Sequence, residues 1–261
     1  MSTETFQTLT TRTGLSLTVS ALGAKITQLM LPDRNGVLGN VVLGLPSTQD
    51  YLDYAHLYIG CTIGPVAGRI PRSRFVSKNL SFEVRPNEGV NQLHGGVERS
   101  WDRVMWEMKC EEHDEFVRVT FEYDRPDGEE GYPGNVHVTS EYTLSNEGVL
   151  TSRLEATTDA QTPINLTTHN YWNLSGIPGK TVCPQELALA TSGQILTDQH
   201  SIPTGQVADT TVFTDSYTQH IPLQASCDEG GIDAIMLLKN STPLEREVAR
   251  LVDPVSGRRL T

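Results

Sequence analysis

Seven histidines give the chain side chains that can exchange protons near neutral pH, and their surroundings separate them. His113 lies in the acidic turn "EEHDE" and reads as solvated surface; His137 sits inside an alternating run that explains it without chemistry. His169 is different. It ends the polar run "NLTTH" and precedes Tyr171 and Trp172 in "TTHNYWNLSG". Asn165, Thr167, Thr168 and Asn170 offer hydrogen-bond partners for its ring, and the aromatic pair offers a flat wall of the kind that packs on the C–H face of a sugar. A buried histidine with both nitrogens satisfied is the plain alternative. His94 stands in "NQLHGG", where two glycines permit unusual backbone angles and close approach of a ligand or another segment. An ordinary glycine-rich turn is the competing reading there.

Two further stretches carry charge in a chemical setting. Arg69 follows the small-residue turn Ala67–Gly68 in "GPVAGRIPRSRF", and its fork of donors suits hydroxyl or carboxylate oxygens. Asp233 follows a double glycine in "DEGGIDAIMLL" and opens an apolar run. A carboxylate there can accept from two vicinal hydroxyls, or cap a turn. The spacing of His94, His169 and Asp233 matches no common metal-ligand pattern, so no metal is expected.

The elements that must hold these residues alternate with period two. "LSLTVSALG" (15–23), "FVRVTFEY" (116–123), "NVHVTSEYTL" (135–144) and "LTSRLEATT" (150–158) read as half-buried antiparallel strands. "PDRNG", "RPNEG", "RPDGEEGYPG" and "SNEG" supply the turns, and "SNEG" between two alternating runs predicts a hairpin. "STQDYLDYAHLYIG" (47–60) is the best helix candidate and is short. No repeat, linker or low-complexity stretch interrupts the pattern. The expectation is one all-β domain over 1–261, a sandwich or barrel of antiparallel strands.

Composition narrows the partners. Thirty-two acidic against 20 basic residues give a formal charge of −12, which repels phosphate backbones and anionic lipid. A neutral small molecule suits that surface; nucleic acid and membrane do not. The four cysteines, Cys61, Cys110, Cys183 and Cys227, lack Cys-x-x-Cys spacing and are expected to be reduced thiols. The N-terminus lacks a secretory pattern and no apolar run approaches the ~18 residues of a membrane span, so a cytoplasmic protein is expected.

Taken together and in order, "GPVAGRIPRSRF", "NQLHGG" with Trp101 and Trp106 downstream, "GYPGNVHVTSEYTL", "TPINLTTHNYWNLSG", "IPTGQV" and "GGID" resemble the aldose 1-epimerases, or galactose mutarotases, from about residue 15 to the last. The resemblance implies a large antiparallel β-sandwich with a sugar cleft. It also implies interconversion of the α and β anomers of free hexoses, galactose and glucose among them, by acid/base ring opening and reclosure. Only protons move, so no cofactor is implied. By match of motif, His169 corresponds to the general acid at the ring oxygen and His94 to a second histidine bonding the same region. Arg69 and Asp233 correspond to residues that bind the sugar, and Trp172 is an aromatic candidate for the cleft wall. A monomer or a homodimer is expected.

The sequence departs from the family pattern at three places. Gly68 stands where many members carry asparagine, and "IDAIML" replaces a stretch that usually has a histidine and an aromatic after the aspartate. The family's general base is a glutamate well beyond the "SGR" turn, and the 261 residues end at "VSGRRLT". The expectation is a sandwich incomplete at its C-terminal end, with unpaired sheet edges and a base not carried by these residues. Loss of one acid/base partner removes roughly 10²–10⁴-fold in rate. A sugar-binding or regulatory mutarotase-like protein is therefore the first alternative. A phosphosugar 1-epimerase, which needs extra basic residues such as Arg72 and Arg74, is the second.

Overall fold

The computed structural model describes residues 5–77, 80–209, 221–223, 233–238 and 247–261. It is an all-β chain whose paired strands are antiparallel, with a single α-helix, Thr48–Asp53, among the described residues. The chain divides into two compact units, residues 1–31 with 42–172, and residues 32–41 with 173–261.

The first unit is built on two sheets. Strands Phe6–Thr10, Ser16–Ser20 and Lys25–Pro32 pair in sequence order, with a bulge at Thr18/Val19. A four-stranded meander follows: Glu107–Glu112, Phe116–Arg125, Val136–Ser145 and Leu150–Thr158. Alternation drives it. Val117, Val119 and Phe121 are buried while Arg118 and Thr120 between them are not, and Val136, Val138, Ser140, Tyr142 and Leu144 do the same on the next strand. Period-two side chains leave one face apolar, and register aligns the two inner rows, Val119 opposite Tyr142 and Val117 opposite Leu144. The "SNEG" hairpin forms as predicted, with the Ser145 amide donating to Val149. The candidate helix is only partly realised. Six residues form α-helix, Ala55–Leu57 form a 3-10 turn, and Tyr58 adopts left-handed backbone (φ 51°) that ends the run.

This sheet carries the strand on which the candidate site is built. Thr62 Oγ1 lies 3.0 Å from Ser140 Oγ, and the Tyr142 hydroxyl donates to the Ala24 carbonyl. Thr62 is thereby tied to the sheet through Ser140, and its hydroxyl reaches the same Ala24 carbonyl at 3.4 Å; Thr62–Ile63 pairs in turn with Thr167–Thr168.

Two buried charges organise the loop beside it. Arg125, 2% exposed, donates to the carbonyls of Pro126, Glu129, Tyr132, Pro133 and Gly134. That wraps the "RPDGEEGYPG" turn around one guanidinium. The turn in turn presents Glu130, 5% exposed, whose carboxylate accepts from the amides of Val97, Glu98 and Arg99. A buried carboxylate is tolerable only when so satisfied.

The second unit has its own sheets, Ile221–Pro222, Glu186–Leu189, Ala249–Val252 and Arg259–Leu260 in one, Pro203–Ala208, Thr191–Thr197 and Ile235–Leu238 in the other. Arg258 of the "SGR" turn is buried and donates to Leu174, Ser175 and Val37 carbonyls. One expectation is corrected here. Cys183 is disulfide-bonded, so the cysteines are not all free thiols; Cys61 and Cys110 are free. Spacing along the chain does not show which thiols folding brings together. No helix among the described residues is long and apolar enough to cross a membrane.

Candidate active site

Three segments of the first unit, 58–70, 87–96 and 165–171, bring His94, His169 and Arg69 together. Asn165 stitches the first to the third. Its amide donates to Pro65, its carbonyl accepts from Ala67, and its Nδ2 donates to the Ala67 carbonyl at 3.2 Å. Its side chain therefore serves the backbone rather than the His169 ring. The His169 amide donates to Cys61 (2.8 Å) and its carbonyl accepts from Gly60, which fixes the residue against the strand Thr62–Ile63.

Arg69–Ile70 and Gln92–Leu93 form a two-residue ladder that sets Arg69 opposite Leu93, one residue ahead of His94. Asn87 of "RPNEG" holds the second strand, donating to the carbonyls of Leu93 and Gly96 and accepting from the Leu93 amide. The glycines after His94 are needed for packing. A Cβ on Gly95 (φ +92°) would lie 2.0 Å from the Gly64 carbonyl oxygen, and one on Gly96 (φ +133°) would meet the Glu130 carboxylate. The close approach read from "HGG" is real, and the approaching groups are Gly64 and Glu130.

His94 itself has left-handed backbone, φ 54°, a conformation uncommon outside glycine. It is tied twice to Gly68: the His94 amide donates to the Gly68 carbonyl, and the Gly68 amide donates to His94 Nδ1, both at 3.0 Å. Because Nδ1 accepts, the neutral ring carries its proton on Nε2. The two imidazoles meet edge to face, centroids 5.5 Å apart and planes at 79°. Tyr58 packs on both, at 4.7 Å from His94 and 6.0 Å from His169. Tyr171 packs against His169 at 5.1 Å and is 41% exposed; its hydroxyl donates to the Leu57 carbonyl.

The electrostatics separate the rings. Burial, then the neighbouring His169 and Arg69, push His94 down from 6.5 to about 4, against Glu88, which opposes the change. His169 is also lowered by burial, with Asp102 among the groups that pull it back up. Two imidazolium ions at this distance would repel, so one neutral donor beside one titrating ring is the consistent state. Burial raises the Tyr58 hydroxyl to about 12, which keeps it neutral. Arg69 is gripped by Glu88 through two bonds, Nε to Oε2 at 2.5 Å and a terminal nitrogen to Oε1 at 2.7 Å.

The other predicted positions lie elsewhere. Trp172 is half-buried and bridges to Val42 through its backbone, while Tyr171 is the aromatic on His169. Asp233 is exposed in the second unit, two residues before the strand Ile235–Leu238. Arg72 and Arg74 are exposed. Sequence reading missed Tyr58 and Glu88. Tyr58 was hidden inside a helix-like run, and Glu88 inside a turn whose charge gave no sign of a partner 19 residues earlier. No group of three or more metal-ligating side chains occurs among the described residues.

The antiparallel all-β fold is shared with solved structures of aldose epimerase type. It superposes on a GalM/aldose epimerase homologue from C. elegans with a TM-score of 0.85 at 26% identity, covering 97% of this chain and 77% of that one. A galactose 1-epimerase from Lactobacillus acidophilus gives 0.80 at 26% identity, with 94% and 71% covered. The aldose 1-epimerase family model matches residues 6–261, and the chain belongs to that family. Pig galactose mutarotase is 37% identical over 195 residues, 74% of this chain and 55% of the pig protein. The bovine galactose mutarotase is 34% identical over 248 residues, 94% and 70%. The chain thus spans little more than half the length of some of the curated relatives it matches.

Proposed function

We propose that the chain acts on free hexoses such as galactose and glucose, interconverting their α and β anomers. The observation that carries this is the histidine pair: one ring locked as a neutral Nε2–H donor against one ring free to titrate, 5.5 Å apart, with an arginine fork alongside. His169 gives a proton to the ring oxygen as the C1 hydroxyl gives its own to a base, the glutamate that the family resemblance implies or a solvent water. The C1–O bond to the ring breaks, the aldehyde rotates about C1–C2, and reclosure returns the proton to His169. A lowered proton affinity makes His169 the stronger acid when protonated. His94 donates to the same oxygen region without adding a second charge. Arg69 binds sugar hydroxyls through its guanidinium, Tyr171 offers the flat exposed wall, and Asp233 is the further candidate for binding hydroxyls. The relatives' names, galactose mutarotase and aldose 1-epimerase, support the reading.

A second reading, a sugar binder without turnover, is favoured by one observation. Glu88, the carboxylate beside Arg69, is already committed to that arginine. Polarimetry of freshly dissolved α-D-galactose decides between them. Epimerase action accelerates the decay of rotation in the wild-type chain and not in His169→Ala. An unchanged rate, with galactose still shifting the histidine NMR signals, selects the binder. An unchanged rate with unmoved signals sinks both.

A further inference from the structure

Arg69 brings a fixed positive charge to the histidine pair, and a charge of opposite sign is built against it. Glu88 belongs to the turn "NEGVN", residues 87–91, whose stem runs on into His94. Its backbone is committed on both sides: the Glu88 amide donates to the Asn91 carbonyl and the Asn91 amide donates back to the Glu88 carbonyl, both at 3.0 Å. Gly89, at φ +61°, supplies the left-handed corner of that two-residue loop. The carboxylate is thus placed by a closed loop, and it meets the arginine edge to edge, both oxygens accepting, one from Nε and one from a terminal nitrogen. A guanidinium held along that edge has its plane fixed as well as its charge matched. The Arg69 side chain is 25% exposed and that of Glu88 37%, so the pair is partly withdrawn from water and still reaches the surface.

We propose that Glu88 is a specificity-determining residue: by cancelling the charge of Arg69, it makes the site select uncharged sugars over sugars that carry a carboxylate or a phosphate. An arginine alone beside a sugar site would attract anions, since a guanidinium pairs best with carboxylate and phosphate oxygens. With Glu88 along its edge, an approaching anion meets charges that sum to zero and a carboxylate of its own sign. Like-charge juxtaposition is a common means of turning a wrong partner away. Neutral hydroxyls feel little of this. The neighbouring ionisable groups add no compensating positive charge at neutral pH: His94 is held down at about 4, His169 is lowered too, and the Tyr58 hydroxyl is raised to about 12. Arg72 is tied to the same turn through its amide, which donates to Asn91 Oδ1 at 2.9 Å, but it is exposed to solvent, where its field is screened. The net −12 of the chain acts in the same direction as Glu88, at long range and subject to salt, whereas Glu88 acts at contact.

The inference rests on the hexose reading of the site, and its test separates the two. The His94 and His169 ring protons are followed by NMR at neutral pH in the full 261-residue chain. The additions are D-galactose, D-galacturonate, which carries a carboxylate at the exocyclic carbon, and sulfate. The wild-type chain binds galactose about tenfold or more tightly than galacturonate. Glu88→Gln keeps the shape and removes the charge; it shifts that ratio about tenfold toward galacturonate and gains sulfate binding. Adding Arg69→Gln abolishes the sulfate gain. A ratio within about twofold of wild type in folded Glu88→Gln, or a sulfate gain that survives Arg69→Gln, overturns the proposal. Glu88→Ala carries the same expectations and serves if Glu88→Gln does not fold. If neither sugar moves the signals in any variant, the hexose reading fails and sulfate alone decides: a gain in Glu88→Gln upholds Glu88 as the group that excludes anions, and its absence overturns that.

Discussion

His94 shows how much one side chain can be committed by its backbone. Its proton affinity is pushed from 6.5 to about 4, so the unfolded chain takes up a proton more readily than the folded one between those values. The stabilisation is fully present above about pH 6.5 and is lost as pH falls through the interval to about 4. Thermal denaturation across that range should show the melting temperature dropping, with a flatter profile in His94→Gln; parallel profiles would refute the assignment. Gly95 makes a harder demand. Alanine there places Cβ 2.0 Å from the Gly64 oxygen at φ +92°. Backbone strain and overpacking together should cost about 2–4 kcal/mol in urea unfolding. Gly68 differs again: it has φ +85° with open space around it. Asparagine tolerates that backbone, so Gly68→Asn should leave stability within about 1 kcal/mol and tighten hexose binding, as titration calorimetry would show.

Among elements, the strands were legible because their two faces differ. Leu150–Thr158 appears with the predicted bounds, and the run at 116–123 gains only two residues, ending at Arg125. The helix was overread because "DYLDYAHLY" keeps helix-compatible residues through a turn that Tyr58 breaks, and a left-handed tyrosine leaves no mark in the sequence. The loops were the opaque part. "RPDGEEGYPG" reads as turn chemistry, yet its work is to bury Arg125 inward and Glu130 outward toward residues 97–99. Partners thirty residues apart cannot be paired by spacing. Glu130→Ala would orphan three amides and loosen the loop after His94. A loss of about 2–4 kcal/mol is expected, with faster amide exchange at 97–99. The same meander holds the site from behind through Ser140, so its rigidity and that of His169 share one source.

At the scale of the whole molecule, charge and ligand act separately. A net −12 should disfavour polyanions, while a neutral sugar feels no such field. Galactose should raise the melting temperature with concentration, adding about 2.7 kcal/mol at a hundredfold excess over its dissociation constant. The shift should survive 0.5 M salt, within about the error of the scan, because no counterions are released. A sugar phosphate that outperformed galactose would turn the reading toward the phosphosugar branch. The two compact units, each with its own buried arginine collecting carbonyls, make calorimetry worth running for a second transition.

The double tie between Gly68 and His94 also makes a clock. While Nδ1 is unprotonated it accepts the Gly68 amide proton, and that proton is sheltered. Once acid places a proton on Nδ1, the ring becomes a donor and the amide is released. Deuterium uptake at Gly68 should therefore accelerate as pH falls toward about 4, against the slowing that acid imposes on ordinary amides. A single glycine would then report the charge of the histidine beside it, without any sugar present.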